Sequence, residues 1–439
     1  MTAYWLEHAW LGSGRLADHV LVTVDGDRLA SVEPDIVAPP ASATRLRGFT
    51  IPGLANCHSH AFHRALRGRT QEGRGTFWTW RDQMYAVAER LDPDSYYALA
   101  RATYAEMAAT GITCVGEFHY LHHDPAGHRY DDHNVMGRAL IAAARDAGLR
   151  IALLDTCYLA AGIDRPAEGV QRRFSDGDIE RWAQRVDDLR ESYASDVVVG
   201  AAIHSVRAVP RDGIAAVARW AHTREAPLHF HLSEQLAEND GCEAAYGMSP
   251  TRLLFEAGAL GPRSSAVHAT HLSDADVALL GGSQTYACFC PTTERDLADG
   301  VGRSRDLQEA GARLSLGSDS HAVIDMFEEM RAVELDERLT SSTRGHWSTE
   351  ELLTAATGIG HASLGFANAG TITPGAFADL VTLDASSPRT AGVRKAAELA
   401  VFAASAADVT HVVSGGRAID SSRVGRELAK AIGPLWEDA

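Results

Sequence analysis

The chain has 439 residues, of which 45% are hydrophobic and 23% are charged, and its net charge is −17. The length suits a large barrel with a smaller module, and the composition is that of an ordinary globular protein. The acidic charge argues against nucleic acid or an anionic membrane surface as a partner, so local arginines would have to attract any anionic substrate.

The first residues and the cysteines predict a cytoplasmic protein with reduced thiols. Residues 1–8 lack the basic and apolar regions of a secretory signal, and no apolar stretch approaches the roughly 20 residues that cross a bilayer. The six cysteines are scattered without the spacing of a disulfide framework or a zinc finger.

The N-terminal segment predicts a β-hairpin, because Asp-Gly at 25–26 separates apolar runs at 20–24 and 28–32. From about residue 51 the pattern changes to short apolar runs that alternate with helical stretches. This alternation predicts a parallel sheet, and eight units over roughly 250–300 residues predict an α/β fold with a distorted (β/α)8 barrel. The candidate strands are 51–60, 113–118, 151–155, 197–203, 228–231, 265–268, 285–290 and 314–319.

The β pattern returns after about residue 370, with candidate strands in 370–384 and 409–419. Neither terminal piece has enough strands to bury a face alone, so both together predict one small β-sandwich domain. The predicted domain ranges are 1–50 and 370–439 for this β-sandwich and 51–369 for the barrel.

Histidines and carboxylates stand at the ends of the candidate strands, where barrels of this type carry their functional groups. His58 and His60 are two residues apart on the first strand and therefore project from the same face. The later strand ends carry His229, His231 and Glu234 on the fifth strand, His268 on the sixth and Asp319 on the eighth. Imidazoles with a carboxylate are typical zinc ligands, and a catalytic site keeps one position open for water. The pattern predicts a catalytic metal site in which His268 and Glu234 handle protons.

The order of these residues resembles the metal-dependent amidohydrolase superfamily. The matching features are Pro-Gly-x-x-x-x-His-x-His at 52–60, the histidines of strands five and six, Ser-Asp-Ser at 318–320 and Pro-Gly-Ala-Phe-Ala-Asp-Leu-Val at 374–381. The resemblance implies a set of metal ligands, and it selects one of the two histidines that share a face of strand five. That set is His58, His60, His231 and Asp319.

The lysines bear on the number of metal ions. Many members of the superfamily bridge two metals with a carboxylated barrel lysine, but this chain has only Lys395 and Lys430. The resemblance therefore implies one Zn²⁺ per chain. The mononuclear branch with His-x-x-Glu on strand five is rich in deaminases.

Within that branch the chain resembles the formiminoglutamate deiminases of histidine degradation. The matching segments are 58–62, 77–85, 117–120, 204–207 and 229–235. The resemblance implies that four residues contact the substrate, and these are Arg81, Tyr120, His204 and Arg207. Two arginines suit a dicarboxylate such as N-formimino-L-glutamate, because the planar guanidinium binds carboxylates bidentately.

One position departs from that family's pattern. The residue after His-Ser-His-Ala-Phe is glutamine in the family, whereas this chain has His63. A neutral imidazole can donate and accept like an amide, but with a different reach. We therefore expect His63 to contact the substrate and to be the place where substrate preference could change.

The predicted reaction is zinc-dependent hydrolysis of N-formimino-L-glutamate to N-formyl-L-glutamate and ammonia. Asp319 and His268 would orient a water molecule and accept its proton, and Glu234 would pass a proton to the departing nitrogen. One alternative is a mononuclear zinc deaminase of a purine, pyrimidine or guanidino compound. A second is a non-catalytic scaffold, which the complete ligand set argues against. The resemblance also implies a homodimer.

Overall fold

Two large β-sheets organise the chain in the computed structural model, which describes residues 2–71, 74–193 and 197–437. The strands are β1 (Thr2–Trp10), β2 (Leu16–Asp25), β3 (Arg28–Glu33), β4 (Thr44–Pro52), β5 (Leu54–Ser59), β6 (Ile112–His119), β7 (Arg150–Cys157), β8 (Ala160–Gly162), β9 (Arg165–Pro166), β10 (Val197–Ile203), β11 (Leu228–Leu232), β12 (Ser264–His268), β13 (Tyr286–Phe289), β14 (Arg313–Leu316), β15 (Leu380–Leu383), β16 (Val409–Ser414) and β17 (Arg417–Ala418).

Helices fill most of the connections between the strands. The α-helices are α1 (Phe77–Arg90), α2 (Pro93–Ala109), α3 (Val135–Ala147), α4 (Ile179–Glu191), α5 (Arg211–Thr223), α6 (Leu236–Tyr246), α7 (Pro250–Glu256), α8 (Asp274–Gly282), α9 (Pro291–Asp296), α10 (Ser304–Ala310), α11 (Met326–Ser341), α12 (Thr349–Thr354), α13 (Gly360–Ser363) and α14 (Val424–Ile432). Short 3-10 helices cover Ala61–Leu66, Gly169–Arg173, Ala406–Asp408 and Gly433–Leu435, and π-helical turns cover Ala355–Ile359 and Leu399–Ala403.

The first sheet is the predicted parallel barrel. Its order is β14-β13-β12-β11-β10-β7-β6-β5, and the neighbours are parallel. A parallel bridge between Ser59 and Asp319 joins the first and last strands. The Asp319 amide donates to the His58 carbonyl at 3.0 Å, which holds this seam at the carboxyl ends of the strands. The barrel prediction is confirmed, and the seam brings together two of the predicted site segments.

The second sheet combines both ends of the chain in the order β17-β16-β15-β4-β1-β2-β3. Its pairs are antiparallel except for β1 with β4, and the predicted hairpin is β2–β3. The candidate strand 51–60 divides between the two sheets at Gly53. A Cβ at Gly53 would overlap Thr113 Oγ1 and Asp379 Cβ, so the chain passes between the sheets where only glycine fits.

The last helix packs on the barrel, although the predicted range 370–439 grouped it with the β-sandwich. Helix α14 lies against α2, where Arg101 pairs with Glu427 at 2.9 Å. The Trp436 indole donates to the Ala65 carbonyl at 3.0 Å. In the described ranges, no helix is both long and apolar enough to cross a membrane.

A buried ion-pair network links β7 to α4. Arg185, whose side chain is 1% exposed, donates to both oxygens of Asp155 at 2.7 and 2.8 Å and to Asp176 at 2.8 Å. We expect Arg185→Ala to lower the free energy of unfolding by about 3–5 kcal/mol, because two buried carboxylates lose their cation. Urea denaturation measures the change. Arg181→Ala, on the same helix but 62% exposed, is the control, and equal losses in both variants would contradict this expectation.

Candidate active site

Four potential metal ligands meet at the carboxyl end of the barrel. His58 and His60 lie at the end of β5, His231 lies in β11 and Asp319 follows β14. Asp319 Oδ1 is 3.2 Å from His58 Nε2 and 3.4 Å from His60 Nε2. The Nε2 atoms of His58 and His231 are 3.1 Å apart. All four side chains are buried, and their ligand atoms lie within 4.8 Å of one another.

The second nitrogens of two of these histidines indicate that the cluster fits a metal ion. His60 Nδ1 lies 2.9 Å from the Phe118 carbonyl and His231 Nδ1 lies 2.8 Å from the His204 carbonyl. Because a carbonyl only accepts, both Nδ1 atoms donate and both Nε2 atoms direct a lone pair to the centre. Burial lowers the pKa of both imidazoles, which favours the neutral form that binds metals. Nitrogen and oxygen ligands of zinc lie about 2.0–2.2 Å from the ion, so atoms that share one ion are about 3–3.5 Å apart, close to the three separations given above.

His268 and Glu234 lie beside this cluster, as predicted for proton-handling groups. His268 Nε2 is 3.7 Å from Glu234 Oε1 and 3.9 Å from Asp319 Oδ2. Burial raises the pKa of Glu234 to about 6, and the neighbouring His268 offsets only part of this increase. His268 and Asp319 adopt positive φ angles of 66° and 41°, a strain of about 1–3 kcal/mol that is typical of functional sites.

The five predicted substrate contacts line one cavity with these groups. The lining of this cavity includes His63, Arg81, Tyr120, His204 and Arg207. His63 Nε2 lies 2.9 Å from the Tyr120 hydroxyl. The imidazole of His63 packs edge-on against the Trp80 ring, with the ring centroids 5.1 Å apart. Burial lowers the pKa of His63 to about 3, so its imidazole is neutral and suited to hydrogen bonding.

The two arginines of the cavity are held in different ways. Arg81 lies over the rings of Trp78 and Tyr85, with its Cζ 4.5 and 5.3 Å from their centroids. Among the residues that the structure describes, its buried Nε has no hydrogen-bond partner. Arg207 donates through Nε to Glu238 at 2.9 Å, a bond that does not use its two terminal Nη groups.

Comparisons with known proteins agree with this architecture. The model of the amidohydrolase family matches residues 49–419. The chain belongs to the amidohydrolase family. This amidohydrolase is 36% identical to formimidoylglutamate deiminase from Pseudomonas aeruginosa over 97% of each chain. The family resemblance and the enzyme class predicted from the sequence are therefore confirmed.

Solved structures share the whole fold of this amidohydrolase. An amidohydrolase from Brucella melitensis has a TM-score of 0.89 and 31% identity, covering 99% of this chain and 100% of that one. An adenosine deaminase from Xanthomonas campestris with bound zinc has a TM-score of 0.85 and 22% identity, covering 99% and 98%. At that identity the second comparison shows the fold alone.

The amidohydrolase also contains polar residues around the site that the sequence did not predict. Glu294 lies 3.4 Å from His268 Nδ1, and Glu238 holds Arg207. Asp299 accepts from the Gln235 amide, and burial raises the pKa of Asp299 to about 8. These carboxylates come several residues after the ends of barrel strands. That position in the sequence is the feature from which a location near the site could have been predicted.

The two histidines of β11 have different surroundings. His231 Nε2 faces the ligand cluster, whereas His229 Nε2 lies 3.4 Å from the Ser363 carbonyl. Both point to the same side of the strand, but they occupy different layers of the barrel interior. The structure therefore places His231, and not His229, in the cluster of potential ligands.

Proposed function

We propose that this amidohydrolase is a formimidoylglutamate deiminase that uses one zinc ion per chain. It would hydrolyse N-formimino-L-glutamate to N-formyl-L-glutamate and ammonia. The observation that carries this proposal is a single cavity whose lining includes three of the four metal-type ligands together with two arginines, Arg81 and Arg207. The identity to a formimidoylglutamate deiminase over nearly the full chain supports the same substrate.

The residues of the cavity have distinct roles in the proposed reaction. When held by the four ligands, zinc supplies a Lewis acid that lowers the pKa of a coordinated water. His268, with Nε2 near both Glu234 and Asp319, takes a proton from the attacking water. The water oxygen bonds to the formimino carbon while Glu234 gives a proton to the terminal nitrogen, so the carbon–nitrogen double bond becomes single. Glu234 then transfers the proton of the new hydroxyl group to the same nitrogen, the carbon–nitrogen bond breaks, and ammonia and the formyl carbonyl form. The proton held by His268 returns to Glu234, 3.7 Å away, and restores both groups.

The remaining groups of the cavity bind and orient the substrate. Arg81 and Arg207 each bind one carboxylate, since a guanidinium forms two parallel hydrogen bonds with such a group. Tyr120 and His63, which already bond to each other, and His204 offer donors and acceptors for the formimino end. A purine or pyrimidine carries no carboxylate to match the two arginines, so the cavity favours the dicarboxylate.

Product analysis tests the proposed reaction directly. Purified enzyme with bound zinc is incubated with N-formimino-L-glutamate, and the products are identified by mass spectrometry and an ammonia assay. Equal amounts of ammonia and N-formylglutamate are expected. Formamide with glutamate would mean that another bond is cut, and no turnover would contradict the proposed substrate.

The arginines provide a test of how the substrate is recognised. We expect Arg81→Ala and Arg207→Ala each to raise KM about 10- to 100-fold, because a charge-assisted hydrogen bond to a carboxylate contributes about 1.5–3 kcal/mol. Steady-state kinetics with N-formimino-L-glutamate and with N-formimino-L-glutamine measure the effect. The glutamine compound lacks one carboxylate, so one of the two variants should lose its preference for the dicarboxylate.

An exposed arginine serves as the control for this test. Arg252 is 53% exposed and pairs with Glu256 four residues along its helix. Arg252→Ala should leave KM for both compounds unchanged. If neither cavity variant changes KM, the arginines do not bind substrate, and a deaminase of an uncharged ring compound becomes the better proposal.

We also propose a cytoplasmic homodimer. The six cysteines are all unpaired and buried, which suits a reducing compartment. Light scattering after size-exclusion chromatography tests the dimer. A homodimer should have twice the 47.1 kDa mass of one chain.

A further inference from the structure

One buried carboxylate next to the proposed catalytic group has no role in the reaction described above. Glu294 lies in α9, the short helix that follows β13, and is 5% exposed. Its Oε1 accepts the backbone amide of Cys290 at 2.8 Å and lies 3.4 Å from His268 Nδ1. The carboxylate is thus fixed by the main chain on one side and faces the imidazole on the other.

These two contacts determine which nitrogen of His268 carries a proton. As a carboxylate, Glu294 has oxygens that only accept hydrogen bonds, and its Oε1 already accepts the N–H of Cys290. The nitrogen that faces the same oxygen must therefore donate, which places a proton on His268 Nδ1. In the neutral imidazole the lone pair is then on Nε2, the atom that faces Glu234 and Asp319.

We propose that Glu294 is a positioning residue that holds His268 as the Nδ1–H tautomer, with Nε2 open to accept the proton of the attacking water. This inference rests on the proposed function for its kinetic consequence. His268 also has a left-handed backbone with φ of 66°, so its main chain and its side chain are both held. The opposite tautomer presents an N–H to the water and cannot take its proton. In serine proteases, loss of the carboxylate that holds the catalytic histidine lowers kcat about 10⁴-fold.

Kinetics of two variants and their combination test the proposal. We expect Glu294→Ala to lower kcat at least about 100-fold while KM and zinc content stay near the wild-type values. Glu294→Gln keeps an oxygen that can accept from both Cys290 and His268, so it should retain most of kcat. In a His268→Asn background, Glu294→Ala should cause no further loss, since the two residues act as one unit.

A buried glutamate without contact to His268 provides the matched control. Glu329 is fully buried and accepts the Thr292 backbone amide at 3.1 Å. Glu329→Ala should leave kcat within about threefold of wild type, because only the group that faces the imidazole acts on it. An unchanged kcat in Glu294→Ala, or an equal loss in the His268→Asn background, would overturn the proposal.

The tautomer itself can be measured without substrate. Nitrogen-15 NMR of histidine-labelled wild-type enzyme reports which ring nitrogen is protonated, and the resonances missing from His268→Asn identify this residue. A proton on Nδ1 with none on Nε2 supports the proposal, whereas an unprotonated Nδ1 or a proton on both nitrogens overturns it. If the enzyme does not turn over N-formimino-L-glutamate, the proposed function fails, whereas this spectroscopic result still decides the role of Glu294.

Discussion

Replacing Asp319 by alanine is expected to remove both the bound zinc and the activity. Asp319 is the only carboxylate of the four potential ligands, and its Oδ1 lies within 3.4 Å of His58 and His60 Nε2. Without it, three neutral imidazoles remain and the negative charge that balances the cation is lost. We expect zinc content to fall from near one ion per chain to below about a tenth, and kcat/KM to fall at least about 10³-fold. Elemental analysis after dialysis and steady-state kinetics measure the two quantities.

An exposed aspartate and a chelator complete this experiment. Asp274, whose side chain is 94% exposed, offers the same substitution away from the cavity, and Asp274→Ala should keep both zinc and activity. Wild-type enzyme treated with a chelator should lose activity and recover it when zinc is added back. A variant Asp319→Ala that holds one zinc ion per chain would show that the metal is bound elsewhere.

The local pattern predicted the barrel well because each strand reads as a separate apolar run. All eight candidate strands overlap strands of the parallel sheet. The pattern did not predict where the chain changes sheets, since residues 51–60 are apolar on both sides of Gly53. Only the packing of Thr113 and Asp379 against this glycine separates the two strands. The candidate strand at 370–384 is likewise longer than the strand in the structure. Residues 370–379 are β-forming but lie before β15, which begins at Leu380.

The site was predictable to the extent that it depends on strand ends. Parallel strands bring their carboxyl ends to one edge, so a histidine at each end predicts a cluster without any knowledge of the helices. Glu238 and Glu294 lie within helices that follow strands, where a carboxylate usually faces solvent. Whether such a side chain turns inward depends on the packing of the whole helix, which a single sequence does not reveal. The contacts by which Glu238 orients Arg207 and Glu294 faces His268 could therefore not be predicted from the sequence.

Glu234→Gln is expected to lower kcat about 10²- to 10⁴-fold without removing zinc. Glu234 is 7% exposed, and its Oε1 lies 3.7 Å from His268 Nε2. Burial raises the pKa of this carboxyl to about 6, so it can both hold and release a proton near neutral pH. Glutamine has the same shape but cannot pass a proton to the leaving nitrogen. Steady-state kinetics, elemental analysis and a binding measurement with N-formimino-L-glutamate should show lost turnover with retained zinc and retained substrate binding.

The control for this variant uses the same substitution on a neighbouring helix. Glu243 is exposed on α6, which begins at Leu236, just after Glu234. Glu243→Gln removes one negative charge at this side of the barrel and should leave kcat unchanged. If Glu234→Gln keeps wild-type turnover, another group delivers the proton to the nitrogen. Asp299 would then be the next carboxyl to replace, because burial also raises its pKa and the charge of the nearby Glu234 raises it further.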